Sequence, residues 1–152
     1  MFSKILLPVD LEETGLAAKA VETAVEQARM SGGELHVITV IPGFGLPIVA
    51  SFFPEDAMED AVRSVNRELE AFAASNIPAD VEARLEVVEG HPAEAILSYA
   101  AQIGADLVVV PSHTRSLSQR VLGSCAASLV QHASCPVLVV RQTTEGARHG
   151  IP

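Results

Sequence analysis

The stretch Leu107–Val140, LVVVPSHTRSLSQRVLGSCAASLVQHASCPVLVV, decides how this chain folds. Leu107 to Val110 is a continuous apolar run, the pattern of a parallel strand covered on both faces. Pro111 to Leu122 follows as a polar loop, Gly123-Ser124 opens a short helix, and Pro136 to Val140 is a second apolar run. α/β proteins build anion and nucleotide sites where a strand passes through a loop into a helix N-terminus. The first helical turn there offers unpaired N–H groups and the positive end of the helix dipole. Arg115 and Arg120 lie inside the stretch, Arg141 lies just past it, and no carboxylate occurs between Asp106 and Glu145. In a chain with 19 acidic residues and 10 Lys/Arg, that gap suggests a place for a negative ligand.

At 152 residues, 49% of them hydrophobic, the chain fits one domain with a full core. The formal net charge of −9 argues against a general nucleic-acid binder or a protein held on anionic lipid. The charge is uneven: residues 1–90 carry 16 acids against 6 Lys/Arg, and residues 91–152 carry 3 against 4. The acidic half reads as solvated helical surface, the near-neutral half as the seat of an anion. No apolar run reaches the ~20 residues needed to span a bilayer. The N-terminus MFSKILLPVD turns acidic too soon for a signal peptide. Cys125 and Cys135 sit in apolar surroundings and read as buried free thiols. A cytoplasmic location is the default expectation.

Working back to the start, Lys4 to Asp10 (KILLPVD) is a short buried strand that leaves Asp10 at its carboxyl end. Leu16, Ala17, Ala20, Val21, Ala24, Val25 and Ala28 recur at helical spacing, with Thr14 as the expected cap and Gly32-Gly33 as the stop. Leu35 to Ile41 is a second buried strand. Pro42 to Pro54 (PGFGLPIVASFFP) reads as a lid, a partner-facing patch, or a loop that packs its own Phe52 and Phe53. Met58, Ala61, Val62, Val65, Leu69, Phe72 and Ala73 form a second amphipathic helix ended by Asn76 and Pro78. Val81 to Val88 alternates at its start, as an edge strand does. Gly90-His91-Pro92 turns the chain into a third helix through Ala93, Ile96, Leu97 and Ala100. The pattern β-α-β-α-β-α-β-α-β predicts an open, doubly wound α/β sheet of parallel strands with right-handed crossovers. If the first strand lies between the second and fourth, Asp10 and the Pro111–Leu122 loop flank one crevice at the point where strand order reverses.

Enzyme motifs find little support. Ser31-Gly32-Gly33 precedes the second strand, the wrong place for an adenylate-forming phosphate loop, and no Gly-Lys-Ser/Thr occurs. The histidines and cysteines show no metal spacing. Ser112-His113 lacks the Gly-x-Ser-x-Gly setting of a nucleophile elbow. His132 reads as a packed or surface residue.

At this point the chain resembles the universal stress protein family over nearly its whole length. The resemblance rests on Ile5-Leu6-Leu7-Pro8-Val9-Asp10, on His36 to Ile41, on Leu122-Gly123-Ser124, and on Val130-Gln131-His132-Ala133-Ser134-Cys135-Pro136-Val137-Leu138-Val139-Val140-Arg141. It implies a five-stranded parallel sheet in the order 3-2-1-4-5 with helices on both faces, a Rossmann-like fold similar to the adenine nucleotide alpha hydrolases. It implies one domain over residues 1–141 with a loose tail from 142 to 152. It further implies a homodimer through Pro136, Val137, Leu138, Val139 and Val140; such an edge-strand dimer could pair again as a tetramer through the apolar Pro42–Pro54 loop, and the protein partner is unknown. The cofactor it implies is ATP, with or without Mg2+. Asp10 would lie near adenine and ribose, and the backbone of Val9 and Val40 would meet the adenine. The rest of the implied site is Pro8, Pro111, Ser112, His113, Thr114, Arg115, Arg120, Gly123, Ser124 and Cys125.

The sequence departs from the ATP-binding motif Gly-x-x-Gly, nine residues, Gly-Ser/Thr. Pro111 and Thr114 replace the two glycines, and eight residues, Arg115 to Leu122, precede Gly123. Pro removes an N–H and Thr adds a Cβ where ribose or phosphate would approach. The shortened loop is similar to that of a bacterial subgroup, some of whose members bind ATP. Three functions follow in descending order: a nucleotide-dependent switch, a dimeric scaffold that works by protein contact without ATP, and slow hydrolysis or self-phosphorylation at Ser112, Ser116 or Ser118. The last lacks an evident general base.

Overall fold

The computed structural model describes residues 1–42, 55–112 and 122–141. The elements in chain order are β1 (Lys4–Pro8), α1 (Thr14–Ser31), β2 (Glu34–Ile41), α2 (Glu55–Asn76), β3 (Ala83–Glu89), α3 (Pro92–Ile103), β4 (Leu107–Pro111), α4 (Ser124–His132) and β5 (Val137–Val140). The strands form one five-stranded sheet in the order β3-β2-β1-β4-β5, and every pair is parallel. The α/β class, the strand order and the edge position of β3 agree with the sequence reading.

Alternation along the central strands builds two cores. Ile5, Leu7 and Val9 of the β1 segment, Leu35 and Val37 of β2, and Leu107 and Val109 of β4 pack on one face with the buried alanines and valines of α1 and with Leu69 of α2. Leu6, Ile38, Val108 and Val110 face the other way, onto Ile96 and Ala100 of α3 and Ala126 and Leu129 of α4. Because both faces are covered, β1 and β4 cannot show a polar face, which is why they read as unbroken apolar runs. Burying a side chain such as Leu6 or Leu7 contributes about 2 kcal/mol.

Local chemistry fixes the ends. Gly32 takes the left-handed conformation (φ +69°) and donates its N–H to Ala28 O at 2.8 Å, closing α1 as its sequence suggested. At Gly33 an added Cβ would lie 2.5 Å from Phe2 O, so only glycine lets β2 start this close to the N-terminal segment. The start of α1 differs from expectation. Thr14 is the first helical residue, Glu13 is the N-cap, and no side chain caps the helix. The entry is organised upstream by Asp10, whose Oδ1 accepts the Glu12 N–H at 3.0 Å while its carbonyl accepts the Glu13 N–H at 3.0 Å. Asp106 performs a similar service across the sheet: it accepts the Ser3 N–H (2.8 Å), the Ser3 hydroxyl (2.9 Å) and the Lys4 N–H (3.0 Å).

His36 is a buried polar residue of β2, 6% exposed. Its Nε2 lies 3.0 Å from Glu34 Oε2, and its ring meets Tyr99 of α3 edge-on at 6.4 Å between centroids. A carboxylate can only accept, so Nε2 carries the proton. The hydrogen bond from His36 is the main cause that holds the Glu34 carboxyl below its usual value. This is a structural pair inside the sheet.

Candidate functional site

The site forms where the sheet reverses order. β1 registers with β4 only at Ile5↔Leu107 and Leu6↔Val108, and with β2 from Lys4↔Glu34 to Pro8↔Ile38. Beyond those pairs, between the carboxyl ends of β1 and β4, lies the crevice position that doubly wound sheets use for ligands. Asp10, exposed, stands on one side, and Ser112 with the start of α4 stands on the other.

On the β1–β2 side, backbone groups are left over. The Val9 N–H reaches Ile38 O at 2.8 Å, so residue 38 points its polar backbone towards β1. Alternation along the strand then turns Val40, two residues on, the same way. No described residue of β1 meets it, and no described hydrogen bond joins the Val40 N–H to the Val9 carbonyl. These groups lie at the carboxyl ends of β1 and β2, the position at which the family resemblance implies an adenine.

On the β4–α4 side, Ser112 is 1% exposed and forms a junction. Its N–H donates to Val140 O of β5 at 3.0 Å, and its carbonyl accepts the Gly123 N–H at 2.7 Å. Gly123, itself buried, is the N-cap of α4 and supplies no side-chain cap. The helical ladder starts with Ala127 N–H to Gly123 O at 2.9 Å. The N–H groups of Ser124, Cys125 and Ala126 therefore find no backbone acceptor among the described residues. The cap is Gly123, so Ser124 is the first helical residue and its exposed hydroxyl is not engaged in capping.

Pro8, Val9, Asp10, Val40, Pro111, Ser112, Gly123, Ser124 and Cys125 all stand at or near the carboxyl ends of the parallel strands or at the helix start that follows β4. His113, Thr114, Arg115 and Arg120 lie outside the described residues, as do Phe52 and Phe53. Cys125 and Cys135 are free but half-buried rather than fully buried. Burial pushes both thiols up, which keeps them protonated and poor nucleophiles. Sequence reasoning did not find the Ser112 junction, because Val140 and Gly123, which its backbone meets, are distant along the chain. A separate open groove of about 320 Å³ lies beside β3 and α3, lined by Val88, Glu89, His91, Glu94 and Tyr99 among others. Its two carboxylates make it a poor seat for an anion. Among the described residues no helix is long and apolar enough to cross a membrane, and no three His, Cys, Asp or Glu side chains could share a metal ion.

The model of the universal stress protein family matches residues 1–141. The chain belongs to the universal stress protein family. Universal stress protein G of Shigella flexneri is 31% identical over 147 residues, covering 93% of this chain and 100% of its own. Universal stress protein UspA from Lactobacillus plantarum is 26% identical, with a TM-score of 0.67 over 91% of this chain and 97% of its own. A universal stress protein from Archaeoglobus fulgidus, solved in complex with dAMP, is 18% identical, with a TM-score of 0.62 over 91% of this chain and 98% of its own. That last likeness shows the shared fold.

Proposed function

We propose that this universal stress protein is a nucleotide-binding regulatory module whose crevice takes an adenine nucleotide and whose dimer surface responds to it. The observation that carries the reading is the unclosed backbone on both sides of the crevice. Val40 and the Val9 carbonyl offer a donor and acceptors to an adenine edge, and the uncapped first turn of α4 offers donors and a positive dipole end to phosphate. Asp10 keeps its second carboxylate oxygen for a ribose hydroxyl, since Oδ1 is engaged by Glu12. Within the adenine nucleotides, ATP is the ligand expected from the sequence resemblance. The dAMP found in the Archaeoglobus protein belongs to that protein, but it is of the same ligand class.

A switch or binding role fits better than turnover. Burial pushes the Cys125 thiol at the start of α4 up, which makes it a poor nucleophile, and the sequence offers no evident general base beside it. The test is to heat the purified protein and identify released nucleotide by chromatography, then titrate stripped protein with adenine nucleotides by calorimetry. Release of an adenine nucleotide, or saturable heat, is expected. Neither release nor heat at millimolar ligand would leave the scaffold reading, in which the protein acts through contacts alone.

A further inference from the structure

We propose that the edge of β3, with the groove at its carboxyl end, docks an extended basic segment of a partner protein. The segment pairs with β3 as a further strand, and one of its Lys or Arg side chains seats in the groove. This surface lies at the opposite edge of the sheet from β5 and does not depend on the nucleotide crevice.

The first argument is backbone direction. β3 ends the sheet, and its seven residues register with β2 without a break. The Leu35 N–H donates to Glu82 O at 2.9 Å, and the Gly90 N–H donates to Ile41 O at 3.0 Å. Alternation along a parallel ladder then commits Arg84, Glu86 and Val88 to β2 as well. Ala83, Leu85, Val87 and Glu89 therefore turn their N–H and C=O groups away from the sheet, and no described backbone group meets them. Such an edge is what strand addition uses: main-chain hydrogen bonds supply affinity, and pockets for alternate side chains supply specificity.

The second argument is the pocket. α2 covers one face of β3, where Leu85 and Val87 pack into the core. On the other face α3 packs over β1 and β2, and Arg84 and Glu86 of β3 stay exposed. The groove of about 320 Å³ lies on this side, lined by Val88 and Glu89 from β3 and by Glu94 and Tyr99 from α3 among others. A side chain from a strand laid along β3 has this groove beside it.

The third argument is charge complementarity. Glu86, Glu89 and Glu94 form no ion pair among the described residues, whereas Arg84 is already engaged by Glu34 at 3.5 Å and Glu82 at 3.2 Å. Burial and the nearby Glu86 carboxylate push the Tyr99 phenol up, so the ring stays neutral, and His36 braces it edge-on. A neutral phenol ring beside unpaired carboxylates suits an ammonium or guanidinium by charge and by cation–π attraction. A second copy of the chain is a poor occupant, because two β3 strands side by side would set these carboxylates against one another.

The experiment is fluorescence anisotropy of a labelled peptide, Val-Lys-Val-Lys-Val-Lys-Val, titrated with full-length protein at about 0.15 M salt, where diffuse attraction is screened beyond ~8 Å. Saturable binding is expected. It should weaken by about tenfold or more when Gln replaces Lys in the peptide, and as much in Glu89→Gln/Glu94→Gln. Glu22→Gln/Glu26→Gln, which removes the same charge from α1, should leave it unchanged. A peptide N-methylated at every peptide nitrogen keeps its charge but loses its donors, and it should bind at least about tenfold more weakly. Absence of binding by the Lys peptide would overturn the inference. Equal binding by the N-methylated peptide, or equal loss in the α1 variant, would overturn it by showing attraction to acidic surface alone. A fall in light-scattering mass on adding peptide, absent in Glu89→Gln/Glu94→Gln, would assign the edge to a second copy and overturn it too.

Discussion

At Gly123 the backbone is extended (φ −61°, ψ 157°), a conformation open to any residue, so a side chain can be placed there without backbone strain. Gly123→Asp would set a carboxylate over the first turn of α4, where an N-cap Asp is favourable for the helix but occupies the donors a phosphate needs. Nucleotide affinity should fall by tenfold or more while Tm moves by only a few degrees, a split that calorimetry and thermal denaturation read separately. Asp106 makes a different kind of prediction. Burial pushes its carboxyl up, but the hydrogen bonds from Ser3 and Lys4 outweigh that and hold it below the ordinary range. A depressed folded-state value means its stabilisation is present above the ordinary carboxyl value of about 3.9 and is lost as pH falls through the folded value. Asp106→Asn should therefore cost about 1 kcal/mol at neutral pH, a figure kept small by partial exposure, and the gap should close in acid. Urea denaturation across pH checks it; a gap that persists in acid would assign the loss to shape rather than charge. The sequence displayed Gly123 and Asp10 openly, since glycine and aspartate punctuate strand and helix ends. It could not show that Gly123 spends its N–H on Ser112, because that bond depends on how the intervening loop returns.

At the scale of elements, the apolar runs and helical spacings were enough to place every described strand and helix, since run length and the 3.6 period survive without knowledge of partners. Boundaries moved where a turn intervened: Asp10 organises the entry to α1 in place of a Thr14 cap. The direction in which Val40 turns its backbone was not legible, because a one-residue slip in register would aim it at β3. The same alternation yields a test of the proposed dimer through β5. Val108 N–H donates to Pro136 O and Ser112 N–H to Val140 O, so residues 136, 138 and 140 serve β4 while Val137 and Val139 point their backbone outwards. β5 pairs on one side only and all four of its residues are half-exposed, as an unpaired edge requires. Val139→Pro removes an outward N–H and leaves the β4 ladder intact, so it should give a folded monomer by light scattering after gel filtration. Leu138→Pro breaks an inward position and should cost about 3 kcal/mol of stability. If Val139→Pro stays dimeric with native circular dichroism, β5 is not the interface.

For the whole molecule, the decisive geometry is that the crevice and the β5 edge share a residue. Ser112 gives its N–H to Val140 at the end of β5 and takes the Gly123 N–H at the start of α4, with almost no exposure to absorb a shift. A phosphate that orders the first turn of α4 thus acts on the strand through which two copies are proposed to pair, by way of two hydrogen bonds. A buried residue in a close-packed interior passes such a displacement to its neighbours. Linkage then requires reciprocity: if nucleotide tightens the dimer by some factor, dimerisation tightens nucleotide by the same factor. We expect a coupling of about fivefold, the low end of common allosteric values, since only one short helix and one edge strand are involved. Sedimentation equilibrium with and without saturating adenine nucleotide measures one arm of the cycle, and nucleotide titration of the wild type against Val139→Pro measures the other. Equal factors above one in the two arms close the cycle and show that the two surfaces are coupled. A dimer constant indifferent to nucleotide, with nucleotide still bound, would show the two surfaces to be independent and would leave the protein a nucleotide sensor whose output lies on another face.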